Sequence, residues 1–207
     1  STPAIVNRGQ SNEAAQDINR PVVALYGTGT FGGTSNWQFV DLVFGDSVTT
    51  ATTSMFAPIA EMDFEAARTI VKSKQWGQML SVYHGAKSIS PSGSITLFSG
   101  TVTQKPLPGA TMFAAVGAAT EAAARIWGLE LAPVRVNTVV PGIIDTPVWP
   151  SLMGPDGAQA AHTSFAEQLP VGRIGTPEDV AKAVLFLIDN GFVSGTSLVV
   201  DGGHRLV

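Results

Sequence analysis

The chain has no cysteine, so neither a disulfide framework nor a thiolate metal site is open to it. Its three histidines, His84, His162 and His204, are too scattered for the spacing of a ligand set, which argues against a metal enzyme. Charge is scarce: 14% of residues are Asp, Glu, Lys or Arg, and the formal net charge is −4. No Lys or Arg stands next to another, so there is no basic stripe for a phosphate backbone or an anionic bilayer. The expected partners therefore include neither nucleic acid nor membrane. No apolar stretch reaches the roughly 18 residues of a spanning helix, and the N-terminal Ser-Thr-Pro-Ala has no basic region ahead of an apolar one. The expected protein is soluble and cytoplasmic.

What is present is apolar: 44% of 207 residues are hydrophobic, enough to bury one core, and one domain over residues 1–207 is expected. Short β-branched runs alternate with longer helical patterns, the signature of βαβ units and a parallel sheet covered on both faces. Strands are expected at 4–7, 22–26, 39–44, 94–98, 134–140 and 197–200. Helices are expected at 11–18, at 64–87 behind the cap Asp63, and at 112–131. A fourth runs from Pro177 to Ile188, where Thr176, Pro177 and the acids Glu178 and Asp179 make a start signal.

Gly27-Thr-Gly-Thr-Phe-Gly32 follows an expected strand and matches G-x-G-x-x-G, the pattern in which glycines let a backbone approach a pyrophosphate. Such a loop must open a helix, and the stretch 33–38 before the next strand is too short for one. It is equally too short for a parallel crossover, so the pair of strands around it is not the usual first unit of a dinucleotide fold. The motif reads as a Gly-rich loop.

The second half carries a resemblance that can be followed residue by residue. Gly93-Ser-Ile-Thr-Leu-Phe-Ser-Gly100 looks like a strand that ends in a catalytic serine. Leu129-Glu-Leu-Ala-Pro-Val-Arg-Val-Asn-Thr-Val-Val-Pro141-Gly142-Ile143-Ile144-Asp-Thr146 looks like the stretch that closes over a nicotinamide. Leu169-Pro-Val-Gly-Arg-Ile-Gly-Thr-Pro-Glu-Asp-Val180 and Gly195-Thr-Ser-Leu-Val-Val-Asp201-Gly-Gly203 look like a C-terminal signature. Together these resemble the short-chain dehydrogenase/reductase (SDR) family, whose fold is a Rossmann-like, doubly wound parallel sheet.

The resemblance implies NADP, with NAD possible, as cofactor. Pro141, Gly142, the backbone at Ile143 and Ile144, and the Thr146 hydroxyl would hold the nicotinamide amide group; a plain Pro-Gly turn after a buried strand is the other reading. Asp46, in Asp41-Leu-Val-Phe-Gly-Asp-Ser47, falls where the family steadies the sheet beside the cofactor. Arg8, after the strand 4–7, falls where an arginine often pairs with the adenosine 2′-phosphate, although a solvated arginine fits equally. Residue 1 then falls just before the family's second strand. The first β-α unit with its phosphate loop, roughly 30 residues, is expected either in a longer chain or to be replaced by another strand.

The family's proton relay is a Tyr-x-x-x-Lys pair on one helical face, with a serine and an asparagine nearby. The aligned tyrosine and lysine positions are Phe113 and Gly117, the serine position is Gly100 with Ser99 beside it, and the asparagine position is Lys74. Lys74 as acid or electrophile, with Ser99 supplying a hydrogen bond, is the expected substitute; a lysine reaching into water is the duller reading. The resemblance thus implies an NAD(P)(H)-dependent oxidoreductase acting on a small, hydrophobic carbonyl, alcohol or imine. The alternative is a non-redox relative, a scaffold or a cyclase. Trp149 to Thr163 falls where a substrate lid loop is expected, and the small-residue helix 112–131 suggests pairing into a homodimer or homotetramer.

Overall fold

The structure, a computed structural model, describes residues 4–6, 24–27, 37–40, 56–87, 89–146 and 148–207. Strands β1 (Ala4–Val6), β2 (Ala24–Gly27), β3 (Trp37–Val40), β4 (Ser94–Phe98), β5 (Arg135–Pro141) and β6 (Ser197–Val200) form one six-stranded sheet in that order. From β3 to β6 the strands are parallel, with Phe39 opposite Ile95, Ile95 opposite Val136 and Val139 opposite Leu198. β1 and β2 depart from the expected parallel sheet, since both run antiparallel to their neighbours. The physical reason is the connection 28–36: it is too short for a parallel crossover, so β2 returns beside β3 as a hairpin. The outer edge of β3 is thereby paired by β2. Gly27 is the last residue of β2, and the rest of the Gly27 to Gly32 motif lies outside the described residues. So do the expected helix 11–18 and the candidates Arg8 and Asp46.

The helices begin where their caps dictate. Asp63 accepts from the Glu65 and Ala66 N–H groups at 2.9 and 3.3 Å and starts α1 (Phe64–Ile70). The helix continues through one π turn (Val71–Trp76) into α2 (Gly77–Gly85). α3 (Thr111–Glu130) is the small-residue helix. α4 (Val148–Gln168) occupies the stretch expected as a lid loop, which is thus helical and not a loop. Gly154, at φ 74°, kinks it, Pro155 opens the second segment, and the alanines that follow favour helix. α5 (Pro177–Asp189) starts on the expected capping box of Thr176 and Asp179. Arg173 donates to both oxygens of Asp179, at 2.7 and 3.1 Å, and with the Thr176 N–H it holds that carboxyl well below the usual carboxylate range.

The core lies on both faces of β4 and β5. Val82, Ile95, Leu97, Ala124, Val134 and Val136 pack the side of α2 and α3, while Val139, Val184, Leu187 and Ile188 pack the side of α5. Polar residues of the fifth-strand motif are tied down inside this core. Arg135 donates to the carbonyls of Leu187, Ile188 and Val193, closing the C-terminal end of α5. Asn137, fully buried, bonds the Val193 carbonyl and the Thr196 N–H. Asp201-Gly-Gly is a tight turn, as expected, with Gly202 and Gly203 at φ 60° and 86°.

Candidate functional site

In an open parallel sheet, ligands bind outside the carboxyl ends of the strands. Here those ends are Phe98 and Pro141, on neighbouring strands. Gln78, buried at 3% exposure, fixes the first: its Nε2 donates to the carbonyls of Phe98 and Lys74, each at 3.1 Å, and its Oε1 accepts from the Phe98 N–H at 2.8 Å. The π turn that carries Lys74 is thus clasped to the end of β4. Such turns recur at functional sites because one extra residue is pushed out of the helical ladder.

Beyond Phe98 the chain meets α3. The Ser99 N–H donates to the Val139 carbonyl at 2.9 Å, and the Ser99 hydroxyl donates to Glu121 Oε1 at 2.6 Å. The Thr103 hydroxyl donates to the same oxygen at 2.8 Å. Gly117 makes room for this cluster: a Cβ there would stand 2.7 Å from Ser99 Oγ and 2.8 Å from Thr103 Cγ2. Gly100 differs, since a Cβ there would meet nothing within 4 Å. Phe113 stacks on Phe56 with ring centroids 5.0 Å apart. Phe113, Gly117 and Glu121, spaced by four, share one helical face.

Beyond β5 the segment 141–146 is held on two sides. Gly142 packs so closely on Asp201 that a Cβ would lie 2.8 Å from its Cα. The Ile143 carbonyl accepts from the Gly175 N–H, and the Asp145 N–H donates to the Gly175 carbonyl, both at 2.9 Å. The Ile144 carbonyl accepts from Trp149 Nε1 at 2.8 Å, which ties α4 to this segment. The Trp149 ring meets His162 edge-on and Phe165 at a tilt, and Phe165 in turn meets His204 edge-on. His204 Nδ1 and Thr101 Oγ1 are 3.2 Å apart, which brings the C-terminal turn (His204–Leu206) against the loop after Ser99. Burial, helped by the nearby Lys105 charge and opposed by Asp201, holds the His204 imidazole below its ordinary pKa.

The structure brings Ser99, Gly100 and Gly117 together, sets Phe113 one turn before Gly117 against Phe56, places Pro141 to Thr146 on the adjoining strand end, and links the Lys74 backbone to β4 through Gln78. Sequence reasoning missed Glu121, Thr103, Gln78 and His204. Glu121 had a signal, its spacing of four from Gly117, and so did Gln78, four after Lys74. His204 had none, because tertiary packing alone carries it to Thr101.

These residues fit the nicotinamide half of a dinucleotide. Gly100 and the 141–146 segment follow neighbouring strand ends, and the carbonyls at 143 and 144 each already accept one bond. The segment can offer its remaining lone pairs, the N–H groups of residues 143, 144 and 146, and the Thr146 hydroxyl to a carboxamide. Among the described residues no group of His, Asp and Glu could hold a metal ion, and no helix is long and apolar enough to cross a membrane.

Residues 34–205 match the family described as Enoyl-(Acyl carrier protein) reductase. A short-chain dehydrogenase/reductase of Acremonium sp is 29% identical over 93% of this chain and 71% of its own length. The 4-formylbenzenesulfonate dehydrogenase of Comamonas testosteroni is 31% identical over 80% of this chain and 67% of its own. Among solved structures, a small-chain dehydrogenase in complex with NADPH superposes with a TM-score of 0.72 at 34% identity, covering 77% of this chain and 72% of that one. The fold, the matched residues and these relatives agree: the chain belongs to the short-chain dehydrogenase/reductase family.

Proposed function

We propose that this chain binds NADP(H) and transfers hydride to or from a small, hydrophobic carbonyl, alcohol or imine. The observation that carries the reading is the 141–146 segment, held by Gly175 and Trp149 at the carboxyl end of β5, beside the end of β4. The similar small-chain dehydrogenase bound to NADPH supports the cofactor. Arg8 is proposed to favour NADP over NAD through the 2′-phosphate.

When bound, the cofactor supplies or accepts the hydride, that is, a proton and an electron pair. The chain's own residues do the rest. Segment 141–146 orients the carboxamide; Trp149 and Phe165 on α4 cover the site and keep water out. Phe113 cannot give a proton and Gly117 cannot bind a ribose, so the proton on the substrate oxygen or nitrogen must come from elsewhere. We assign it to Lys74; the Ser99 hydroxyl, whose proton is given to Glu121, partners the reacting atom as an acceptor once that atom carries its proton. The aromatic rings at 56, 113, 149 and 165 favour an apolar substrate. The reading takes residues 1–207 as one domain of a cytoplasmic homodimer or homotetramer; the exposed Ile126 and Leu129 on α3 and Trp76 and Tyr83 on the preceding helix support a paired face.

The test is NADPH oxidation against a panel of hydrophobic aldehydes, ketones and cyclic imines, with wild type and Lys74→Ala. Turnover in the wild type, abolished in Lys74→Ala at similar cofactor affinity, is expected. Turnover retained in the variant would overturn the role of Lys74, and cofactor bound without turnover of any substrate would favour the non-redox relative.

A further inference from the structure

We propose that Glu121 sets which redox form of the nicotinamide the site prefers, favouring the oxidised one; this rests on the cofactor reading above. The carboxylate accepts short hydrogen bonds from Ser99 and Thr103, at 2.6 and 2.8 Å, and no ion pair among the described residues includes it. Its partners are neutral hydroxyls, so they orient the negative charge without cancelling it. The Ser99 hydroxyl and the Thr103 methyl also fill the space at the helix surface over Gly117, where an added Cβ would force one or both to shift. A longer side chain at position 117 would therefore have to rearrange this cluster. On the face that runs through Phe113, Gly117 and Glu121, the charge bonded to the loop after β4 is the Glu121 carboxylate; Arg125 follows one turn on.

The sign of the effect follows from the ligand. An oxidised nicotinamide ring carries a positive charge and the reduced ring carries none, while the phosphates and adenosine are the same in both. A carboxylate near such a ring therefore favours NADP+ over NADPH, by an amount that falls with distance and with salt. Bound equilibrium then shifts toward oxidised cofactor and reduced substrate, so the site leans toward reduction.

The experiment is calorimetric titration of wild type, Glu121→Gln and Glu121→Asp with NADPH and with NADP+ at one pH and ionic strength. Glu121→Gln keeps an acceptor for both hydroxyls and removes only the charge. Its NADP+ affinity relative to NADPH is expected to fall about three- to tenfold, and Glu121→Asp to stay close to wild type. An unchanged ratio in Glu121→Gln would overturn the proposal while leaving cofactor binding intact. A wild type that binds neither form would instead sink the cofactor reading itself, and this inference with it. A salt series on the wild type is a second readout that needs no variant. Because the shared phosphates cancel from the ratio, added salt should erode the preference for NADP+; a salt-independent ratio would contradict the role of Glu121.

Discussion

The indole Nε1 of Trp149 donates to the carbonyl of Ile144 at 2.8 Å, so the first turn of α4 is fastened to the segment proposed to receive the nicotinamide. One bond thus couples the cover of the site to its floor. Replacing Trp149 by Phe keeps a ring against His162 and Phe165 but leaves the carbonyl without its donor. The cost is about 1 kcal/mol. If that cost falls on ordering 141–146, NADPH affinity drops about fivefold. Thermal unfolding and a fluorescence titration read the two effects separately, and an unchanged affinity would show that the latch does not serve the cofactor.

Gly117→Ala sets two known magnitudes against each other. Alanine in a helix interior gains about 1 kcal/mol over glycine. Here the added methyl displaces Ser99 Oγ from Glu121, a hydrogen bond to a charged group that contributes about 1.5 to 3 kcal/mol, and crowds Thr103 as well. The loss outweighs the gain, so the variant is expected to be less stable by about 1 kcal/mol in urea unfolding. A more stable Gly117→Ala would mean that the cluster is weaker than its geometry indicates.

Acid should loosen the C-terminal turn. The folded pKa of His204 lies below its unfolded value because the ring is partly buried and Lys105 is near. A depressed folded pKa contributes stability that is fully present above the unfolded pKa, near 6.5, and is lost as pH falls through the folded one. Unfolding free energy measured from neutral pH down to mildly acidic values should therefore decline, with less decline in His204→Gln. Equal slopes for the two proteins would remove His204 from the account.

The parts of this fold written in local chemistry were legible. Asp63, the Thr176 and Asp179 box and the Asp201-Gly-Gly turn each carry their partners within a few residues, and all appear where the sequence places them. The β4 and β5 strands were equally plain, since each is a short β-branched run between turn residues. The antiparallel course of β1 and β2 was less plain: the short 28–36 connection excluded the usual parallel unit without saying what would replace it. The stretch after Trp149 was expected as a loop because the resemblance puts a lid there, whereas Gly154 and Pro155 only kink a helix. Within the site, Gly100, Phe113 and Gly117 announced what was absent. What stands nearby, Glu121 with Ser99 and Thr103, depends on contacts across the fold that no local spacing encodes.

Everything proposed for the site depends on its taking a nicotinamide cofactor, and a fluorescence titration of the purified protein with NADPH and NADH measures that directly. The account predicts saturable binding with NADPH the tighter of the two. Failure of either cofactor to bind, in protein shown to be folded, would contradict it.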